Sequence, residues 1–400
     1  EEGEPEDGLT VSYLVNSLRH YVHLVPGNST PGFPWCNVSS SNQDLFDSFA
    51  GDEVLVSAAI RIRAILFSDV DFSEVSKDPV KWLEYGLRDP HTMFKKSQVE
   101  PARKPDGRII MGESIVDQLV HRFFFQNFME VEASLYPNLC NLKTYGLEPE
   151  KIGPLFDTYQ HLYDTHGVAF CSDVSGWERG FSEDTADFTV SVFRGTCVND
   201  SGFLDRAMQW WKYSLLSSVM IDKGGVLFCL NRLQGMRSGN LLTNTANGLG
   251  RAGVAFYNGA RDVRSNGDDC IEFHIAGTCP IKLKEKYLIT RTMVREFTPQ
   301  ERNRFSFSSR VFIREPGRTY SYLTTYDRMF VQLLRTMYID SSRPHYVEGY
   351  LSSIFTEIVD HPDLFVKASA VVIADVVRAV LYKEVPTEPV RDYRPFRTKE

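Results

Sequence analysis

Apolar residues recur at helical spacing from Val11 to Leu24 and again between Asp44 and Leu87, where Val54, Ala58, Ile62 and Ile65 mark one face. The turn-rich run 26–35 separates these stretches. Ile109–Met111 reads as a strand, and Ser114 is placed to cap a helix through Val116, Leu119, Val120 and Phe123–Phe125. Val168–Asp173 reads as a buried strand ending in a carboxylate. Helices are expected over 181–193 and 203–219, and a short strand over 226–230. The loop 234–239 enters a further helix with Ser238 as its N-cap, which puts Thr243 and Asn247 on one face. The small residues Ala246, Gly250 and Gly253 fit a packing face on the same helix equally well. Beyond it, the pattern predicts a helix over 282–293 and β structure over 305–313. Three amphipathic helices follow over 324–338, 346–359 and 364–383, punctuated by Pro344, Pro362 and Pro386.

The chain is organised around Val263–Phe273. Two apolar-leaning runs flank Asn266-Gly267, a signal for a tight hairpin, and Asp268 and Asp269 follow at once. Neighbours in a strand face opposite ways, but at a turn both carboxylates can reach one site. Crowded anions repel unless a cation lies between them, and hard oxygen donors favour Mg²⁺ or Mn²⁺. Taken alone, the same tetrapeptide also fits a solvated turn.

Composition narrows the class. The chain has 400 residues, 42% hydrophobic and 24% charged, enough for several subdomains with real cores. Its net charge of -8 argues against a protein that coats nucleic acid, yet allows an enzyme with a local basic channel. Seven scattered cysteines without a C-x-x-C pair point to reduced thiols and no zinc site. The apolar run 368–382 carries Asp375 and Arg378 and reads as a packed helix, so no membrane insertion is expected. The first residue is not Met and the start is acidic, which suggests a trimmed chain or release from a longer precursor. Phe94–Arg108 is basic, with Lys95, Lys96, Arg103, Lys104 and Arg108. It is either a solvated loop or a cationic arm facing phosphates.

The order of these features matters: a strand ending at Asp173, then a Ser-Gly loop and helix, then the double-carboxylate hairpin. Asp173-Val174-Ser175-Gly176-Trp177, the run from Ser238-Gly239 through Thr243 to Asn247, and Gly267-Asp268-Asp269 resemble motifs A, B and C of RNA-dependent RNA polymerases of positive-strand RNA viruses. The sequence looks most like the sobemovirus and polerovirus (solemovirid) group. Thr30-Pro31-Gly32-Phe33-Pro34 is similar to motif G, the stretch ending in Lys104 and Arg108 to motif F, and Phe305–Phe312 to motif E. One position departs from the pattern: Glu178 stands where the family usually carries a second motif A Asp that helps recognise the ribose 2′-OH.

The resemblance implies an α+β right-hand polymerase with an antiparallel palm sheet backed by helices. Fingers would span 1–165 with an insertion at 186–232, palm 166–185 and 233–318, and a helical thumb 319–400. It implies two Mg²⁺ (or Mn²⁺) ions held by Asp173, Asp268 and Asp269. Lys104 and Arg108 would face the nucleotide phosphates, and Glu178, Ser238, Thr243 and Asn247 would contact the nucleotide. Thr30, Gly32, Pro34 and Gly239 would face the RNA template. Arg295, or else Lys284 or Lys286, would fall where a general acid is expected. Implied partners are RNA template and primer, NTPs, other viral replication proteins and a genome-linked protein primer. The implied setting is the host cytoplasm, in replication complexes on membranes. Two further readings stay open: a catalytically inactive polymerase-like scaffold that binds RNA or protein, and a reverse transcriptase.

Overall fold

The computed structural model describes residues 8–95, 109–138, 149–197, 202–229, 235–237, 239–340 and 344–382. Eleven strands lie among them: β1 His91–Lys95, β2 Ile109–Gly112, β3 Gly167–Val174, β4 Val219–Ile221, β5 Leu227–Cys229, β6 Asp262–Asn266, β7 Asp269–Ile275, β8 Val294–Gln300, β9 Arg304–Phe307, β10 Arg310–Glu315 and β11 Arg318–Leu323. The described residues fall into two compact units, one drawn from 8–95, 109–138 and 172–298, the other from 149–171 and 299–382.

In the first unit, β1 pairs antiparallel with β2 and parallel with β4, and β5 closes a sheet ordered β2-β1-β4-β5. The helix Ile115–Ser134 starts where Ser114 accepts from the Asp117 amide, as its sequence foretells. A buried charged cluster lies behind this sheet. Arg61 pairs with Asp89 and Asp117, and Arg88 with Glu113, while His91 and His121 lie within ion-pair reach of Glu113. Arg88 also donates to the Ser214 hydroxyl at 2.5 Å.

A second sheet, ordered β6-β7-β3-β8, carries the hairpin. The resemblance implies a three-stranded sheet here; the fourth strand, β8, lies in 294–300, where the pattern predicts no element. The helix expected over 282–293 is Pro280–Ile289, and Arg291 adopts φ 56° where the chain turns back into β8. Val219 also belongs to β4 rather than to the helix Gly202–Leu216.

In the second unit, β9, β10 and β11 form an antiparallel sheet. Phe305 stacks between Tyr159 and Phe312, with ring centroids at 4.0 and 4.6 Å. The helices Tyr326–Asp340, Pro344–Ile358 and Leu364–Tyr382 close on a core that includes Leu333, Val347, Leu351, Ile354, Val366 and Val377. Among the described residues no helix is long and apolar enough to cross a membrane.

Candidate active site

β3 alternates as a half-buried strand should. Phe170 and Ser172 face inward, and Asp173 is exposed at the end of the strand. The chain then turns at Gly176, φ 65°, into the short helix Trp177–Gly180; Trp177 is buried and Glu178 exposed. On the neighbouring hairpin, Asn266 pairs with Asp269, so the two turn residues are Gly267 and Asp268. The turn therefore sits one residue later than the Asn-Gly signal suggests. Gly267 has φ 62° at the first turn position, the type II′ arrangement that favours glycine there. Asp268 stands exposed at the tip, and Asp269 is half-buried at the head of β7.

The three carboxylates feel one another. Burial, and then the charges of Asp268 and Asp173, push Asp269 up to about 6, against a smaller opposing pull from Arg251. Among the described residues no three acidic, histidine or cysteine side chains are already gathered as a metal cluster. The Asp173 carboxylate accepts from Arg295 Nη1 at 3.1 Å, and Arg295 Nη2 reaches the Ser175 hydroxyl at 3.4 Å. Three hard oxygen donors with charge left uncompensated at Asp269 suit a divalent cation such as Mg²⁺ or Mn²⁺.

The helix expected to start at Ser238 runs from Thr243 to Tyr257, and its N-cap position is Leu242, without a side-chain cap. Ser238 itself lies outside the described residues. Asn240 organises the entry instead: its Oδ1 accepts from the Leu242 amide at 2.9 Å, and its Nδ2 donates to Glu113 at 2.8 Å. The Thr243 hydroxyl closes the loop against the carbonyls of Arg237 and Asn240, both at 2.7 Å. Asn247, one turn on, is buried with its Oδ1 unpaired. The small-residue reading of this helix also holds. A Cβ on Gly250 would meet Thr185 at 2.3 Å and one on Gly253 the Phe188 ring at 2.7 Å, so this face packs on the helix Glu183–Thr196.

Gly239 lies against β2, where a Cβ would stand 2.0 Å from the Met111 carbonyl oxygen. Gly32 likewise touches backbone: φ is 72°, and a Cβ would fall 2.7 Å from the Glu113 carbonyl. The Phe33 amide donates to Thr92, and Thr30 and Pro34 are exposed. Lys104 and Arg108 lie outside the described residues. Sequence reasoning missed Asn240 and also Asn244, whose Nδ2 donates to Asn266 Oδ1 at 3.1 Å and ties the helix to the hairpin. It also passed over Arg251 and Glu272, charges set in otherwise small or apolar runs, which is the signal that marks them.

No family model matches the chain. Curated relatives do. An RNA-directed RNA polymerase of mushroom bacilliform virus is 25% identical over 240 residues, 58% of this chain and 56% of that protein. The replicase polyprotein P2AB of Southern cowpea mosaic virus is 28% identical over 279 residues, 68% of this chain and 28% of the polyprotein. Protein P1-P2 of potato leafroll virus is 24% identical over 303 residues, 72% of this chain and 27% of that protein. The chain thus spans just over half of the first relative and about a quarter of the polyproteins. Among solved structures, the sicinivirus 3Dpol RNA-dependent RNA polymerase superposes with a TM-score of 0.54 at 13% identity, covering 90% of this chain and 78% of that one. An insertion-loop deletion mutant of a human picobirnavirus RNA-dependent RNA polymerase gives 0.53 at 14% identity, covering 74% of this chain and 59% of that one.

The fold is that of a viral RNA-dependent RNA polymerase. The right-hand α+β architecture expected from the motifs is therefore borne out, and so is the likeness to sobemovirus and polerovirus proteins.

Proposed function

We propose that this chain is the polymerase part of a positive-strand RNA virus replicase and extends an RNA 3′-OH with NTPs on an RNA template. The observation that carries the reading is that β3 and β7 are neighbours in one sheet and bring Asp173 within electrostatic reach of the Asp268-Asp269 hairpin, so that the charges of Asp268 and Asp173 help to raise Asp269. Asn247, on the helix Thr243–Tyr257, holds an unpaired buried oxygen. Asp173, Asp268 and Asp269 would hold two Mg²⁺ (or Mn²⁺) ions. When bound, such ions supply charge neutralisation and activation of the primer hydroxyl in phosphoryl transfer.

The chain's own residues would do the positioning. Asn247 would donate to and accept from the ribose 2′-OH, with Glu178 as an exposed acceptor in place of the family's Asp. Ser238 and Thr243 would complete the nucleotide side, and Lys104 and Arg108 would face its phosphates. Thr30, Gly32, Pro34 and Gly239 would border the template path. Arg295 does not fit the general acid assignment: a guanidinium stays protonated, and here it is bound to Asp173. Fingers over 1–165 and 186–232, palm over 166–185 and 233–318, and thumb over 319–400 remain the proposed division, with a genome-linked protein primer as partner. The proposed setting is the host cytoplasm, in replication complexes on membranes.

The test is incorporation of labelled NTPs on a primed homopolymer RNA with Mg²⁺ or Mn²⁺, wild type beside Asp268→Ala. Extension by wild type alone supports the reading. RNA binding without extension under either metal, also after a peptide primer is supplied, favours the inactive scaffold.

A further inference from the structure

Ser172 and Asp173 are neighbours on β3 and face opposite ways; Ser172 is buried where Asp173 is exposed. On β7, Glu272 lies three residues past Asp269, an odd step that also turns it to the far face. There the two strands are joined. The Ser172 hydroxyl donates to Glu272 Oε1 at 2.7 Å.

Arg251 fills the space above that bond. It lies four residues past Asn247, one helical turn along the Thr243–Tyr257 helix. Its Nη2 donates to Glu272 Oε1 at 2.7 Å and to the Ser172 hydroxyl, and its Nη1 reaches the Tyr287 hydroxyl at 3.2 Å. Tyr287 in turn donates to Glu272 Oε2 at 2.8 Å, and His274 Nε2 lies 3.3 Å from the same oxygen. Arg251, Glu272 and Tyr287 are all fully buried. Burial would raise Glu272, but Arg251 and the hydrogen bonds from His274, Ser172 and Tyr287 outweigh it and bring it down to about 2. The pair is therefore ionic at any working pH.

Stability alone gives no reason for such a pair. Apolar residues of similar volume hold strands and helix together as well, and replacing a buried ion pair with them is often neutral or favourable. The pair supplies directional bonds that an apolar core lacks. In a sheet, a slip of one residue sends every side chain to the other face. A slip of β3 against β7 would carry Asp173 away from Asp268 and Asp269.

We propose that Arg251 and Glu272 are positioning residues which, through Ser172, lock the phase of β3 against β7 and so hold Asp173 level with Asp268 and Asp269. The inference rests on the polymerase reading in taking those carboxylates as the reacting centre. Neither residue touches that centre; both act from behind the sheet.

The full chain is compared as wild type, as the double variant Arg251→Met with Glu272→Leu, and as Ser172→Ala. Five quantities are measured: melting temperature, Mn²⁺ affinity by electron paramagnetic resonance, amide exchange over 170–174 and 269–273, and the kcat and KM for NTP in primer extension. Asp173→Ala marks the Mn²⁺ signal that belongs to the cluster. The double variant is expected to melt at or above the wild-type temperature yet to bind Mn²⁺ at least about tenfold more weakly, the usual loss when residues supporting metal ligands are removed. Its exchange protection in both strands falls, and kcat falls with KM little changed. Ser172→Ala moves the same way by less.

A folded double variant with wild-type Mn²⁺ affinity, exchange and kcat overturns the inference. Should the double variant not fold, Ser172→Ala decides, and unchanged Mn²⁺ affinity and protection there overturn it. A wild type that binds Mn²⁺ but never extends a primer defeats the polymerase reading instead, while the affinity and exchange comparisons still judge the positioning role.

Discussion

Arg295 Nη1 donates to the Asp173 carboxylate across 3.1 Å, so a cation of the protein's own stands against the carboxylate proposed to bind metal. Arg295 comes from β8, the strand that sequence periodicity did not reveal. Both side chains are about half exposed, at 52% and 56%. An exposed pair of this kind is worth about 0–1 kcal/mol and weakens with salt. A divalent ion can displace it at little cost. Arg295→Ala is therefore expected to tighten Mn²⁺ binding up to about fivefold at low salt, since 1 kcal/mol is the ceiling for the pair. The gain should vanish at high salt. Titration of Mn²⁺ at two ionic strengths checks this, and weaker binding in the variant would show that Arg295 supports the site rather than competes in it.

Gly239 is held by contact rather than by turn geometry. A Cβ there would stand 2.0 Å from the Met111 carbonyl oxygen and 2.8 Å from its carbon, both backbone atoms that cannot swing aside. Gly239→Ala should push the loop off β2 and cost at least about 1–3 kcal/mol, the usual penalty of overpacking. NTP incorporation should fall with it, because Asn240 anchors the same loop to Glu113. Thermal melting beside primer extension checks the prediction. A variant with wild-type melting and activity would mean that the loop does not rest on β2.

The chemistry-bearing elements were legible because each is written in local pattern: Phe170, Ser172 and Asp173 alternate as a strand, and Ser114 caps its helix. What escaped was decided by distant partners. Val294, Phe297 and Gln300 of β8 are buried at a spacing of three, which imitates a helix and hides a strand. The hairpin turn moved by one residue because Asn266 pairs with Asp269 and offers its side chain to Asn244. The helix after the Ser-Gly loop starts late, with the Asn240 side chain accepting from the Leu242 amide just ahead of it. Arg251 and Glu272 stand far apart in sequence, and only the fold brings the two buried charges together.

Asn247 is buried with Oδ1 unpaired, which costs free energy unless a ligand completes it. Asn247→Leu removes that oxygen and fills similar space. Stability without ligand should stay level or rise by about 1 kcal/mol, the order of an unmade hydrogen bond. Preference for NTP over dNTP should drop by roughly tenfold, if this side chain reads the 2′-OH with about 1.4 kcal/mol of discrimination. Competition between ribo- and deoxyribonucleotides in primer extension, beside melting curves, separates the two effects. Undiminished discrimination would move sugar recognition to Glu178.

His91 supplies a pH dependence whose direction follows from its surroundings. Burial, then the neighbouring Arg88 charge, brings its pKa from 6.5 down to about 4, against an opposing pull from Glu113. Arg88 Nη2 lies 3.1 Å from His91 Nε2, as expected of a neutral ring accepting from the guanidinium. Because the folded value is depressed, the unfolded chain binds the extra proton first. The stability due to the neutral ring is fully present above pH 6.5 and is lost as pH falls through the interval down to about 4. At about 1.4 kcal/mol per unit, roughly 2 kcal/mol should go between pH 7 and 5. Asp269, pushed up to about 6, contributes with the opposite sign, so the whole protein's curve mixes the two. The difference between wild type and His91→Gln isolates the histidine, since a glutamine carbonyl can still accept from Arg88. Urea unfolding at pH 7, 6 and 5 should show wild type losing stability faster than the variant. Parallel curves would mean that His91 is not held neutral in the fold.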